Sequence, residues 1–557
     1  MRTLILASLL LQALLSGANT IVVPDTFSSI QEAIDNAANG DTILVRPGLY
    51  YENIVITGKD IVLTSTFEQS GDLDIISETI IDGSRASDLD RASAIRINGG
   101  STHCIIQGFR IQGGSGTVYT INGFSYLEGG GLYINNSEAI VRMNIISHNK
   151  VYRKGSNFLN AGGAGIHTSN GAPSILNNVI SCNYASYGAA IISNFSDLIL
   201  KNNLIFNNVS TPYEVGTAFG SNVFLVGGQT TVHNNTIVNN LSRGNRIAGS
   251  GRGGALLQWL GRADIRNNII YANHQSTGGP VFLNQTPATT VAYNLIEGGF
   301  NGIDNVDNDP LLLSPSFIPA ASSPAIDGGD LNTLYSDNVT SADPDQAIFP
   351  SQGSRLNDLG CFGGPGASRL PIYLTDRLFS LEDKAQLDVD STGEKYIGKL
   401  PVHNLGSQAV QIDKITAGTQ QAVLLQSAAA IGFMQSDTIV FTIAPGIDPD
   451  KDELILHYQS CDSINPAYPI ETSDILSAHS IINDPSEIKV FPNPADHTIH
   501  LEGVPFGKLK LIDTTGQTVI EMNARISKLT IDIRNVLPGT YHILFPSGEV
   551  RRVVIQH

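Results

Sequence analysis

The chain has 557 residues, with 51 acidic against 33 basic side chains and a formal charge of −18. That balance excludes nucleic acid and anionic membrane as partners of the surface as a whole, and the length asks for two to four folded units. Fifty-five glycines, one tryptophan and abundant Val, Ile, Thr and Asn exclude a helical bundle and favour an all-β chain with many tight turns.

Met1-Arg2, the apolar run Leu4 to Leu15 and Ser16-Gly17-Ala18 read as a signal peptide over residues 1–18. The apolar stretch is too short to span a bilayer stably, and small residues precede the expected cut. No other segment is long and apolar enough to cross a membrane, so an exported protein without a membrane span is expected. Next, Ser28 or Ser29 is placed to cap a short helix, with Gln31 and Glu32 at capping-box spacing. Ile30, Ala33, Ile34 and Ala37 form its apolar stripe and Gly40 is expected to end it, which makes a lid for the strands beyond it.

Those strands belong to a repeat. Short β runs at 42–45, 54–56, 61–63 and 79–81 lead into a recurrent Asn-x-Ile-x-x-Asn segment. It begins at Asn144, Asn178, Asn203, Asn235 and Asn268, with a weaker copy at Asn294 and a loose match at Gly108. The starts step by 36, 34, 25, 32, 33 and 26 residues while the inner spacing of five is constant. A constant core with variable insertions is the mark of a solenoid. The asparagines are expected to stack as a ladder between coils, and Gly-rich turns such as Gly129-Gly130-Gly131 and Gly162-Gly163 to open successive coils. The count gives roughly nine coils, a tube on the order of 40 Å long at one strand spacing per coil. Cys104 and Cys182 fall at different offsets from the marker, so they cannot stack and read as buried small hydrophobes; Cys361 and Cys461 fall in different units.

Turn-rich segments at 307–311, 323–327 and 357–365 close the tube. The opening stretch from Ile30 to Tyr50, the repeats and the segments Asp309-Pro310-Leu311 and Ser323-Pro324-Ala325-Ile326-Asp327 together resemble pectate-lyase-like right-handed parallel β-helix proteins over residues 21–367. The resemblance implies the fold and leaves the activity open, because this fold carries lyases, hydrolases, esterases, epimerases and non-catalytic adhesins.

From about Leu370 alternating strands take over, as in Val410 to Ile415 and Asp437 to Ile443. Residues 368–480 resemble an immunoglobulin-like β-sandwich and are read as a spacer. Residues 486–557 carry Val490-Phe491-Pro492-Asn493-Pro494-Ala495, Leu537-Pro538-Gly539-Thr540-Tyr541 and a last strand with Arg551 and Arg552. This unit is similar to the type IX secretion system C-terminal sorting domain of Bacteroidota. The resemblance implies handling by the type IX machinery, removal of the domain, and a cargo released or anchored at the cell surface.

The longest insertions, 113–129, 150–161, 209–221 and 241–252, come after the same strand and are expected to wall one cleft. They carry Lys150, Arg153, Lys154, Arg243, Arg246 and Arg252, interleaved with Tyr119, Tyr126, Tyr152, Phe158 and Tyr213. Cations with aromatic platforms suit an anionic sugar chain, and solvated loops without a role are the competing reading. Carboxylates there are few, Glu128 and Glu214, so a glycosidase pair lacks support. For a lyase, Lys150, Tyr152, Arg153, Arg243 and Arg246 are the candidates for base and carboxylate neutralisation. The base motifs of the related lyase and polygalacturonase families are absent.

His148 and His233 read as structural. Gly249 to Gly254 matches G-x-G-x-x-G but precedes no helix. Calcium is the one cofactor left open, at Asp304, Asp307 and Asp309, where turn formation is the stronger reading. Three functions are expected, in order: a glycan-binding surface protein, a lyase of uronate-containing polysaccharide, and a structural spacer.

Overall fold

The computed structural model describes residues 18–99, 104–152, 160–211, 221–243, 254–276, 279–284, 289–382, 384–389, 395–418, 420–426, 430–444, 447–448, 451–458, 467–472, 489–491, 495, 497–502, 507–513, 517–524, 528–545 and 550–556. Residues 1–17 of the expected signal peptide, Cys461, Arg153 and Arg246 lie outside them. The chain forms two compact units, Met1–Thr472 and Ser473–His557.

The first unit is built on a right-handed parallel β-helix of three long sheets. The first sheet has ten strands, from Thr20–Val23 to Thr290–Ala292; the second has nine, from Gly48–Tyr50 to Leu295–Ile296. The third has eight, from Ile54–Thr57 to Val281–Asn284. Equivalent residues stack coil on coil. In the third sheet Ile95, Leu132, Ile166, Ile191, Val223 and Leu256 form one row, all buried inside the tube. The period-two alternation of these short strands sends one row inward and the next outward.

The corners on either side of the second sheet are set by asparagine. Asn144 donates from Nδ2 to Oδ1 of Asn178 at 3.1 Å, Asn178 to Asn203 at 3.0 Å, and the chain of bonds runs on through Asn235, Asn268, Asn294 and Asn305. A second ladder runs through Asn149, Asn183, Asn208, Asn240 and Asn273. The expected ladder is therefore double, one for each Asn of the repeat. The residue before each ladder Asn has left-handed backbone, as at Asn202 (φ 56°) and Asn207 (φ 54°). These corners are turned by non-glycine residues, and the ladder bonds offset that conformational cost.

Helix α1 (Ile30–Asn36) closes the front, with Ser29 accepting from the Glu32 amide at 3.2 Å and Ile30, Ala33 and Ile34 buried on the core. It ends at Ala37, earlier than Gly40, because Ala37 is already extended. Two shorter helices, α2 (Phe67–Ser70) and α3 (Asp74–Glu78), lie on the outside. After the last coil the chain runs back along the tube as a strap. Gly360 donates to Asn267 O, Asn202 donates to Cys361 O and Gly363 O, and Asn177 donates to Gly366 O. Phe317, Leu359, Cys361 and Phe362 pack on the outer face of the second sheet. Cys104, Cys182 and Cys361 are buried and in no disulfide among the described residues.

The remainder of this unit is a nine-stranded β structure around one core that includes Leu400, Val402, Ile439, Phe441 and Leu456. It does not stand away from the tube as a spacer. Leu405 packs against Val209 and Leu241, and Asn239 donates to Asn404 O at 2.8 Å. The second unit pairs a three-stranded with a four-stranded sheet around Ile499, Leu501, Leu511, Ile531, Ile543 and Val553. Its Tyr541 hydroxyl donates to Leu537 O at 2.8 Å, pinning the Leu-Pro-Gly-Thr-Tyr turn. No helix among the described residues is long and apolar enough to cross a membrane.

Candidate functional site

The long insertions leave the tube at one corner, between the second and third sheets. The first is a hairpin, Gly116–Ile121 paired antiparallel with Phe124–Glu128. Its strand ends at a buried polar centre on the outer face of the third sheet. Glu128 is 1% exposed and His167 0%. His167 Nδ1 lies 2.6 Å from Glu128 Oε2. Tyr119 donates to the same oxygen at 2.7 Å, Asn194 at 3.2 Å, and Tyr187 donates to Oε1. Tyr133 stacks flat on the His167 ring at 4.6 Å.

Burial alone would raise the Glu128 carboxyl, but the His167 charge and the bonds from His167, Tyr187 and Tyr119 hold it below the ordinary carboxylate range. The same burial and the adjacent carboxylate push the Tyr119 and Tyr187 phenols far up, and Tyr133 up to about 12. These tyrosines are therefore donors, not bases. The residue types of a lyase are gathered here, yet the carboxylate and imidazole are out of contact with solvent. Their first consequence is mechanical: they fasten the hairpin to the tube.

The corner itself carries cations. Four short strands, Tyr184–Ala185, Val209–Ser210, Leu241–Ser242 and His274–Gln275, form a separate four-stranded parallel sheet there, and Lys150 pairs with Tyr184. Exposed Lys150 holds its ammonium 5.4 Å from the Tyr152 ring centroid and 5.3 Å from that of Tyr184. Burial raises the Tyr184 phenol, and Arg243 and Arg377 are near enough to oppose that rise. Arg243 is not a free rim cation. Its Nε donates to Ser380 O at 3.0 Å, its Nη2 reaches Glu382 O, and the guanidinium lies 4.8 Å from the Phe379 ring. It ties the next β unit to the tube. Arg153 and Arg246 lie outside the described residues, with Lys154, Phe158, Tyr213, Glu214 and Arg252.

No group of three or more His, Cys, Asp or Glu among the described residues is arranged to hold a metal ion. Asp304, Asp307 and Asp309 are spread along turns: Asp307 accepts from the Gly298 amide, Asp309 from the Leu311 amide, and Asp304 has left-handed backbone. His148 bonds the Tyr373 hydroxyl at 3.0 Å and His233 bonds Asp264 at 2.9 Å. Both are structural partners, in keeping with their place in the strand frame.

His167, Tyr133, Tyr187 and Asn194 are not singled out by sequence pattern alone. For Tyr133 and His167 one signal exists: they and Ile192 each precede a marker asparagine (144, 178, 203) by 11 residues, and the sheet pairs them in that register. Equal offset from the marker means equal place on the tube.

Residues 489–556 match the secretion system C-terminal sorting domain. The chain is exported to the cell surface or beyond by type IX secretion. No curated protein matches the sequence. Among solved structures, similarity is found to a pectin methylesterase in complex with a hexasaccharide, at 13% identity and a TM-score of 0.25, covering 52% of this chain and 82% of that one. The pectin methylesterase of Erwinia chrysanthemi is similar at 12% and 0.24, covering 52% and 81%. The Dettilon tailspike protein matches at 11% and 0.20, covering 76% and 94%.

Proposed function

We propose that the protein is an exported surface β-helix that binds anionic polysaccharide at the corner from which its insertions emerge. One observation carries this reading: exposed Lys150 lies over Tyr152 and Tyr184, beside Arg243 and Arg377, in a chain of formal charge −18. A local cation cluster with aromatic faces is what carboxylate pairing and ring stacking on a uronate chain require. From their place in the sequence, in insertions after the same strand, Arg153 and Arg246 are proposed as further cations for the ligand.

Binding is preferred to cleavage because the histidine and carboxylate best suited to proton transfer, His167 and Glu128, are buried. The lyase reading retains Lys150, Tyr152, Arg153 and Arg246, and one experiment separates the two. Purified protein is titrated with pectate, alginate and glycosaminoglycans while absorbance of unsaturated product is monitored. Binding without product supports the proposal, and product selects the lyase. The variant Lys150→Ala/Arg153→Ala/Arg246→Ala is expected to bind far more weakly and with a flatter salt dependence. Affinity equal to the parent would remove this corner as the binding site.

A further inference from the structure

A second site lies on a different face, between the strap and the second sheet. Two adjoining cavities, of about 370 Å³ and 610 Å³, share Leu73, Phe349, Pro350 and Arg369. The smaller is walled by Leu204, Phe206, Phe317, Phe362 and Ile372. Its volume falls within the range of small-molecule sites, and its walls are those of a pocket for an apolar group. Phe349 and Ile372 are 51% and 61% exposed, so the apolar surface opens to solvent.

Arg369 is the cation at this mouth. Its guanidinium lies 5.0 Å from the Phe349 ring centroid and forms no ion pair or hydrogen bond among the described residues. Asp72 and Asp74 also border the cavities, but neither pairs with Arg369, and Asp72 Oδ1 accepts the Asp74 amide at 3.1 Å. The Tyr373 hydroxyl is already engaged by Ser147 at 3.2 Å and His148 at 3.0 Å. Few polar groups remain for the many hydroxyls of a sugar. An apolar chamber with one unpaired guanidinium at its rim matches a different ligand.

We propose that this crevice binds an amphipathic monoanion, with an acyl or aryl tail in the smaller cavity and its carboxylate paired to Arg369. Burial of the tail supplies the affinity, and the planar guanidinium, backed by Phe349, supplies the bidentate partner for the carboxylate. Asp72 and Asp74 select against a ligand of higher negative charge.

The test uses the full chain, with decanoate, decanol and acetate as probes in calorimetry, and displacement of anilinonaphthalene sulfonate as a second readout. Decanoate is expected to bind and acetate not to. Arg369→Gln should weaken decanoate about tenfold or more while leaving decanol unchanged. Ile372→Glu should weaken both. Both side chains are exposed, so the melting temperature should hold in each variant. Three results overturn the proposal: no decanoate binding by the parent, decanol binding as tightly as decanoate, or unchanged decanoate affinity in Arg369→Gln. Competition by alginate or pectate would also overturn it, since the glycan corner is a separate surface.

Discussion

Asn203 donates from Nδ2 to Oδ1 of Asn235 at 3.0 Å, and its own Oδ1 accepts the Asn178 amide nitrogen at 3.0 Å. Each ladder residue therefore satisfies groups in coils on both sides of it. Its Nδ2 also serves the backbone carbonyls of Ile175 and Lys201.

Replacing Asn203 or Asn235 by Leu is expected to destabilise the first unit by about 1–3 kcal/mol, because buried partners lose their bonds and no water reaches them. Chemical denaturation of each variant measures it. An unchanged midpoint for both would mean that the ladder does not hold the coils together.

The Glu128 centre makes a second prediction. Glu128→Gln leaves His167, Tyr119 and Tyr187 facing a neutral amide and should cost about 3 kcal/mol. The carboxyl is held below its ordinary value of 4.5 in the folded state, so its contribution is present above that pH and is lost as pH falls through the folded value. The melting-temperature gap between parent and variant should be widest at neutral pH and close in acid. A gap independent of pH would show that the charge of Glu128 does not contribute.

These two features differ in how far the sequence discloses them. The ladder is legible because the same residue type occupies the same place in every coil, and stacking makes that place matter. The Glu128 centre is not, since its partners differ in type and lie 39, 59 and 66 residues away in other coils. The strap is also hidden: that Cys361 O accepts from Asn202 is a product of tertiary packing alone. In the sequence Arg243 is one of several cations on a rim, and only the fold brings Ser380 and Glu382 to it.

The strap holds a pair of buried carboxyls whose stability effect has the opposite sign. Burial, then the neighbouring Asp358, pushes Asp337 up to about 8, and burial raises Asp358 to about 7. A raised folded value gives stability that is full below the unfolded value of 3.8, falls as pH climbs from there, and is wholly lost once pH has passed about 7 to about 8. Asp337→Asn should therefore stabilise the first unit at pH about 8.5, by about 1 kcal/mol or more, and have its smallest effect near pH about 4. Thermal melts at the two pH values decide it, and a variant less stable at the higher pH would refute the assignment.

Maturation is open to direct measurement. Removal of residues 1–18 and of the sorting domain from about Ile488 is expected in protein recovered from the cell surface or medium. Intact-mass spectrometry reads both ends. A native surface form still ending at His557 would count against removal of the domain.

Arg243 separates the structural from the glycan-binding part of the corner. Its guanidinium bonds Ser380 O and Glu382 O and lies 4.8 Å and 6.0 Å from the Phe379 and Tyr468 ring centroids. All four partners belong to the β unit that comes after the strap, whereas Arg243 belongs to a coil of the tube. Arg243→Ala removes three charge-assisted bonds and two ring contacts, and leaves two carbonyls in a partly buried seam. A loss of about 1–3 kcal/mol is expected, with faster proteolysis between residues 368 and 384 as that unit loosens. Lys150→Ala should do the reverse, because the ammonium is exposed and, among the described residues, meets only the ring faces of Tyr152 and Tyr184: stability holds and affinity for anionic glycan falls. Limited proteolysis and glycan titration on the two single variants form the comparison. If Arg243→Ala abolishes glycan binding at unchanged stability, the arginine is a ligand-binding residue and its contacts with Ser380 and Glu382 are incidental.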